Sequence, residues 1–343
     1  MMSIKELAQH LDISIGTVSR ALNGKPDVNE ETRKRVLEAA DQFGYFPNQA
    51  GRSLRKGATN VIGFVMDTGT EITSEGDAFF MSVFDGVQAV FSRHQLDLVT
   101  LLCSSEEDPG AYLRRMAARG FADALIISAT KRHDPRIEFL ATKKIPFITL
   151  GRSLSDAGHP WLDLDFETMA REGVKRLVGR GHSRIAILAP LDNINLGYVF
   201  VDAYSAALEE CGIPFDPELI LRGHPTERGG LQIAAKIAAM PDRPTGFIVT
   251  SERVTVGFHH GLRGAGLVPG RDVSLIGRGG PHARHLAPTL TNFSLSLRDL
   301  GITLAESLLA NMPAFAEAYP LGRVRRIIPF EFTEGESDQL CIV

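Results

Sequence analysis

Ser3, Ser14 and Asn29 each stand where a helix would start, and together they commit the beginning of the chain to three short helices. Ser3 followed by Glu6 is a capping box, and Ile4, Leu7, Ala8 and Leu11 then recur at helical spacing on one face. Ser14 caps a second helix running through Thr17, Val18 and Arg20 to Leu22, with Gly24 as its left-handed stop. Asn29 opens a third, which turns Val36, Leu37, Ala40 and Phe43 inward and ends at Gly44. A tight turn between the first two helices makes the unit a helix-turn-helix.

The second helix is polarised in a way a plain helical subdomain does not require. Its buried side takes Val18 and Leu22, while Ile15, Gly16, Thr17, Ser19 and Arg20 face outward. Short groups let a backbone approach the major groove. Arg20 can then donate twice to guanine O6 and N7, and Ile15 offers apolar contact such as to a thymine methyl. Ser14, Ser19, Asn29 and Thr32 lie near helix starts, where hydroxyl, amide and backbone N–H groups hold phosphates.

Residues 3–57 resemble the headpiece of the LacI/GalR family of bacterial transcription regulators, most specifically in TVSRALNG, which carries Asn23, and YFPNQAGRSL, which carries Tyr45. The resemblance implies that Asn23 and Tyr45 join the DNA-facing set. It also implies a hinge helix near Asn48–Arg55 that folds when two subunits meet on an operator, with Gly51 and Arg52 against DNA and Leu54 wedged into a minor-groove step. Such an apolar wedge unstacks a base step and kinks the duplex. Gly51 stands where relatives usually carry alanine. Glycine raises the cost of ordering a helix, so it either weakens the grip on DNA or allows close backbone approach.

Charge follows the same division. The chain has 343 residues, 44% of them hydrophobic, and a net charge of −4. Residues 1–60 hold nine Lys or Arg against seven Asp or Glu, a net of +2, which leaves −6 for the rest. A positive headpiece on an acidic body keeps DNA at one end. Cys103, Cys211 and Cys341 show neither disulfide-framework nor zinc spacing, and no apolar run reaches the length of a signal sequence or membrane span. A cytoplasmic bacterial protein acting at the nucleoid, with no membrane partner, is the expectation.

Beyond residue 61 short apolar runs alternate with helical patterns. VIGFVM (61–66), LDLVTLL (96–102), ADALIIS (122–128) and PFITLG (146–151) form one series of strands, and RIAILA (184–189), LILRG (219–223), TGFIVT (245–250) and VSLIG (273–277) a second. Helices are expected near 80–93, 110–118, 166–180, 198–211, 228–239, 252–264 and 298–310. The fold class is therefore an all-α headpiece plus an α/β core of two doubly wound parallel-sheet lobes, which the resemblance identifies as periplasmic-binding-protein-like. The expected layout is a headpiece at 1–47, a hinge and linker at 48–60, and an effector-binding and dimerisation core at 61–343. Within the core, the first lobe takes about 61–162 and 293–323, and the second about 163–290 and 324–343.

Catalytic signatures are missing: Gly24-Lys25 runs into Pro26 rather than a P-loop, GRGG at 277–280 lacks dinucleotide spacing, and His259-His260 and His282/His285 have no acidic or Cys ligands beside them. Neither enzyme activity nor a cofactor or metal is expected. Ligand should lie where strand ends of the two lobes face each other. Family effector sites often carry an arginine, an Asn-Asp pair and an aspartate where this chain has Phe200, Ser251-Glu252 and Gly279. The expected cleft residues are Asp67, Phe79, Ser128, Arg152, Asn193, Asn195, Phe200, Ser251, Glu252 and Arg278. Carboxylate and guanidinium groups bind vicinal hydroxyls, and Phe79 can stack on a sugar. Arg152 and Arg278 equally suit a phosphate or carboxylate, or structural bridges with Glu252 and Asp67. The resemblance implies a homodimeric repressor, or a tetramer, on a pseudopalindromic double-stranded operator, answering to a small molecule such as a sugar. A transport-type binding protein would share the lobes but lack the headpiece, and a regulator answering to a partner protein remains the other alternative.

Overall fold

The computed structural model describes residues 2–45, 58–67, 78–190 and 194–338. The chain divides into two compact units, Met1–Thr59 and Asn60–Val343. In the first, α1 (Ile4–Leu11), α2 (Ile15–Leu22) and α3 (Glu30–Gln42) start at the expected caps. Ser3 and Glu6 complete their box, Ser14 Oγ accepts from the Thr17 N–H at 3.0 Å, and Asn29 Oδ1 accepts from the Thr32 N–H at 2.7 Å. Leu7, Val18 and Val36 are fully buried at the centre. Leu37 is a correction: it is 49% exposed, and Ala39 is buried instead. One residue advances the helix by about 100°, so a face set by Val36, Ala39, Ala40 and Phe43 turns its neighbour to solvent.

Among the described residues the second unit holds two six-stranded sheets. β1 (Val61–Asp67), β2 (Asp97–Cys103), β3 (Ala124–Ile127), β4 (Phe147–Leu150), β5 (Trp161–Leu164) and β11 (Arg325–Ile328) form the first, in the order β11-β5-β4-β3-β1-β2 and all parallel. β6 (Ile185–Ala189), β7 (Ile220–Arg222), β8 (Gly246–Val249), β9 (Ser274–Arg278), β10 (Thr291–Ser294) and β12 (Glu331–Thr333) form the second, in the order β12-β10-β9-β8-β6-β7, with only β12 antiparallel. Covered on both faces, strands such as ALII of β3 and GFIV of β8 are wholly buried. The helices are α4 (Ala78–Phe91), α5 (Pro109–Ala118), α6 (Pro135–Thr142), α7 (Phe166–Gly179), α8 (Asn195–Glu210), α9 (Glu227–Ala238), α10 (Glu252–Gly264) and α11 (Leu297–Leu309). Among the described residues no helix is long and apolar enough to cross a membrane.

The expected lobe boundaries need correction. β5 extends the first sheet through residue 164, β10 belongs to the second sheet, and β11, assigned above to the second lobe, pairs in parallel with β5 in the first. RRIIPFEF is two strands rather than one, because Pro329 lacks the N–H needed to continue a ladder and the chain changes sheets there. The chain therefore passes between the lobes at residue 165, at 295–296 and at 329–330. Phe166, Phe293 and Phe330 pack edge to face at these passages, with Phe330 5.3 Å from Phe166 and 6.4 Å from Phe293.

Candidate functional site

The outward face of α2 carries the headpiece chemistry. Ile15 is 46% exposed, and Gly16 and Arg20 are exposed, whereas Thr17 and Ser19 are half-buried. Three other proposed DNA contacts already have intramolecular work: Ser14 and Asn29 cap helices, and Asn23 Nδ2 donates to the Ser19 carbonyl at 2.6 Å. Thr32 gives its N–H to Asn29, and Tyr45 packs against the headpiece core. Asn48, Gly51, Arg52 and Leu54 lie outside the described residues.

In the core, strand C-termini of the two sheets face each other across a cavity of about 300 Å³. Phe79, Ser128, Arg152, Ser251, Glu252 and Arg278 line it, as expected. Asp67 ends β1 without lining it, and Asn193 lies outside the described residues. Phe200 is another correction. It is fully buried and packs edge-on to Phe166, which does line the cavity. Because α8 starts at Asn195, earlier than expected, its first residues meet the cleft and Phe200 is carried round against the sheet. Asn195 does not line the cavity either. It ties the lobes together, giving its N–H to the Thr130 carbonyl at 2.8 Å and its Nδ2 to the Arg152 carbonyl at 2.9 Å.

The charged groups of the cavity are largely committed. Arg152 Nε donates to Asp163 Oδ2 at 2.7 Å, and its Nη2 donates to Glu167. Burial works against the Arg152 charge, but the hydrogen bonds to Glu167 and Asp163 outweigh it and raise the pKa above the ordinary value. Glu252, 6% exposed, accepts from the backbone N–H groups of His282 at 2.6 Å and Ala283 at 3.0 Å. Its carboxylate thus braces the turn after β9. Arg278, from the second lobe, lies 5.0 Å over the Phe79 ring of the first. At Gly279 a Cβ would strike the Asn292 side-chain amide, so an aspartate at this position would require Asn292 to shift.

Sequence reasoning missed Asp163, Phe166, Glu227 and Arg253 among the cavity residues. The signal for Asp163 and Phe166 was the WLDL run that forms β5, since residues at the end of a parallel strand face the crevice. For Glu227 and Arg253 it was their place at the starts of helices that follow strands of the second series.

Helix-turn-helix and two-lobed binding core together define a DNA-binding transcription regulator. Residues 3–48 match the family described as bacterial regulatory proteins, lacI family, and residues 60–327 match periplasmic binding proteins and sugar binding domain of LacI family. The chain belongs to the LacI family. It is 33% identical over 316 residues to the HTH-type transcriptional regulator AglR of Rhizobium meliloti (strain 1021), covering 91% of this chain and 88% of that one. It is 34% identical over 278 residues to RafR of Escherichia coli, covering 80% and 81%. Its fold matches the Lac repressor dimer bound to operator and the anti-inducer ONPF, with a TM-score of 0.83 at 19% identity over 98% and 99% of the two chains. A CelR–cellobiose complex matches with a TM-score of 0.70 at 23% identity, over 98% and 100%.

Proposed function

We propose that the protein is a cytoplasmic, homodimeric repressor whose hold on a pseudopalindromic operator is controlled by a neutral sugar bound between the core lobes. The balance of charge in the cavity carries the choice of ligand. Arg152, Arg253 and Arg278 are matched there by Asp163, Glu227 and Glu252. A phosphate or carboxylate would add net negative charge to this balanced set and would compete with Asp163 and Glu167 for Arg152, whereas hydroxyls can add to the donors and acceptors without upsetting the balance. Phe79, Phe80 and Phe166 supply the apolar walls on which a sugar ring lies. Two proteins of similar fold, CelR in complex with cellobiose and a LacI family transcriptional regulator from Enterococcus faecium with bound ribose, support the same reading.

Thermal unfolding of the full chain against neutral sugars, their phosphates and uronates tests the ligand class, because a ligand held by the native state raises the midpoint by mass action. A neutral sugar that raises the midpoint and changes operator affinity is expected; stabilisation by anionic compounds alone overturns the reading. Arg278→Ala is expected to abolish the ligand's effect while unliganded operator affinity stays near that of the natural chain. On DNA, Arg20→Ala is expected to cost about 1–3 kcal/mol and to relax specificity at one symmetric base position. Uniform loss across all sequences makes Arg20 a phosphate contact instead.

A further inference from the structure

Arg20 does not hang free in the headpiece. Its Nε lies 3.3 Å from Asp27 Oδ2, and its Nη1 is 3.7 Å from where a Gly16 Cβ would stand. The side chain thus runs back along α2 over a bare stretch of backbone, as helix geometry favours. Asp27 covers the Nε edge of the guanidinium. A guanidinium has five N–H donors in a fixed fork; with the Nε edge occupied, the two terminal nitrogens remain to reach guanine O6 and N7 together.

Asp27 is itself held in place. Its loop leaves α2 through Gly24, at φ +65°, and the Lys25 N–H returns to the Arg20 carbonyl at 3.0 Å. Arg33 of α3 donates to the Lys25 carbonyl at 2.7 Å and to the Val28 carbonyl at 3.4 Å, and Val28 sinks into the headpiece core at 7% exposure. The pair it makes with Arg20 is exposed, with side chains 51% and 60% accessible. Such a pair adds little to stability. A carboxylate beside a base-reading arginine also opposes approach to the phosphates. Neither folding nor general DNA affinity accounts for it.

We infer that Asp27 is a positioning residue for base recognition: it presets the Arg20 guanidinium in an end-on pose and so sharpens discrimination at the base Arg20 reads, at the expense of overall DNA affinity. The inference rests on the proposed base reading by Arg20, so both residues are varied together.

Selection of duplexes from a randomised pool by the full-length protein, followed by titration of selected and unrelated duplexes at fixed salt, tests it with R20A, D27A and D27N. D27A is expected to flatten the preference by about tenfold at the symmetric position that R20A also flattens. Preferences elsewhere in the site should persist, and binding to unrelated duplexes should tighten several-fold as a negative charge is removed. D27N keeps an acceptor without the charge and is expected to retain more of the preference than D27A. If D27A strengthens binding evenly to every duplex and leaves the base profile unchanged, Asp27 acts by charge alone and the inference falls. If R20A weakens every duplex evenly, base reading by Arg20 fails and the positioning role fails with it.

Discussion

Two arginines, Arg20 in the headpiece and Arg136 in the core, pair with aspartate in opposite settings. In the headpiece Arg20 pairs with Asp27 in the open, and Lys34 and Glu38 likewise stay exposed. In the core Arg136 is 5% exposed and Asp134 fully buried; Arg136 Nη2 lies 2.7 Å from Asp134 Oδ2 and also donates to the Ser128 and Ala129 carbonyls. Burial works to raise the Asp134 pKa, but the Arg136 hydrogen bonds and charge prevail and hold it below the ordinary range. The three-helix unit is closed by caps and a small apolar cluster, which leaves its charges available to a partner. The cleft is walled by strand ends, helix starts and the loops that join them, and there charge fixes the loops that a ligand would touch.

Breaking that contrast has its largest effect at Arg136. Arg136→Ala strands the Asp134 carboxylate inside the first lobe and is expected to destabilise the core by about 3–5 kcal/mol. Followed by denaturant unfolding with separate probes for the two units, the headpiece transition should stay where it is. Equal shifts in both transitions would show that the two units do not unfold independently.

Acid should act on the core in a similar direction. His159, stacked on Phe147, and His259, whose ring nitrogens have no hydrogen-bond partner among the described residues, are 7% and 1% exposed. Burial lowers each pKa from 6.5 to about 4, with nearby positive charge adding to the effect. The folded protein therefore binds these protons less readily than the unfolded chain. Stability is unaffected by these groups above pH 6.5, falls as pH drops from there towards 4, and loses roughly 3 kcal/mol per histidine. His259→Gln or His159→Phe should flatten the slope of unfolding free energy against pH in that window. An unchanged slope would remove burial of these rings as its cause.

Most strands were legible because a strand covered on both faces is a short apolar run bounded by polar turns, as ADALIIS and TGFIVT are. β5 was not. In WLDL, Trp161 and Asp163 are half-buried, so the run reads as broken although it ends in a cleft residue. The headpiece was legible nearly to the residue because caps act over three positions, with Leu37 showing how one step round a helix defeats an apolar assignment. The cleft depends on pairing between distant segments. No local pattern shows that residues 325–328 join the first sheet and 331–333 the second, or that an early start to α8 sends Phe200 into the core. Arg152 and Glu252 were legible as polar groups at strand ends, but not the partners that occupy them.

The smallest effect on stability is expected where the lobes touch outside the cavity. Arg132, on the loop after β3, lies 4.6 Å over the Tyr198 ring and has Nη1 3.8 Å from Asp202 Oδ2, both on α8 of the other lobe. Their side chains are 39% and 71% exposed for Arg132 and Asp202, so Asp202→Ala should cost under about 1 kcal/mol. Arg132→Ala also removes the ring contact, worth about 0.5–1 kcal/mol at an exposed site. An energy of that size hardly alters unfolding, yet each 1.4 kcal/mol changes a two-state population tenfold. If the lobes open in solution, Arg132→Ala should therefore enlarge the ligand-free core in small-angle scattering more than Asp202→Ala does, while both variants melt near the natural chain. The order follows from the geometry, because only Arg132 makes both contacts. An unchanged scattering profile in both variants would leave the Asn195 bonds to Thr130 and Arg152 as the contacts that set lobe closure.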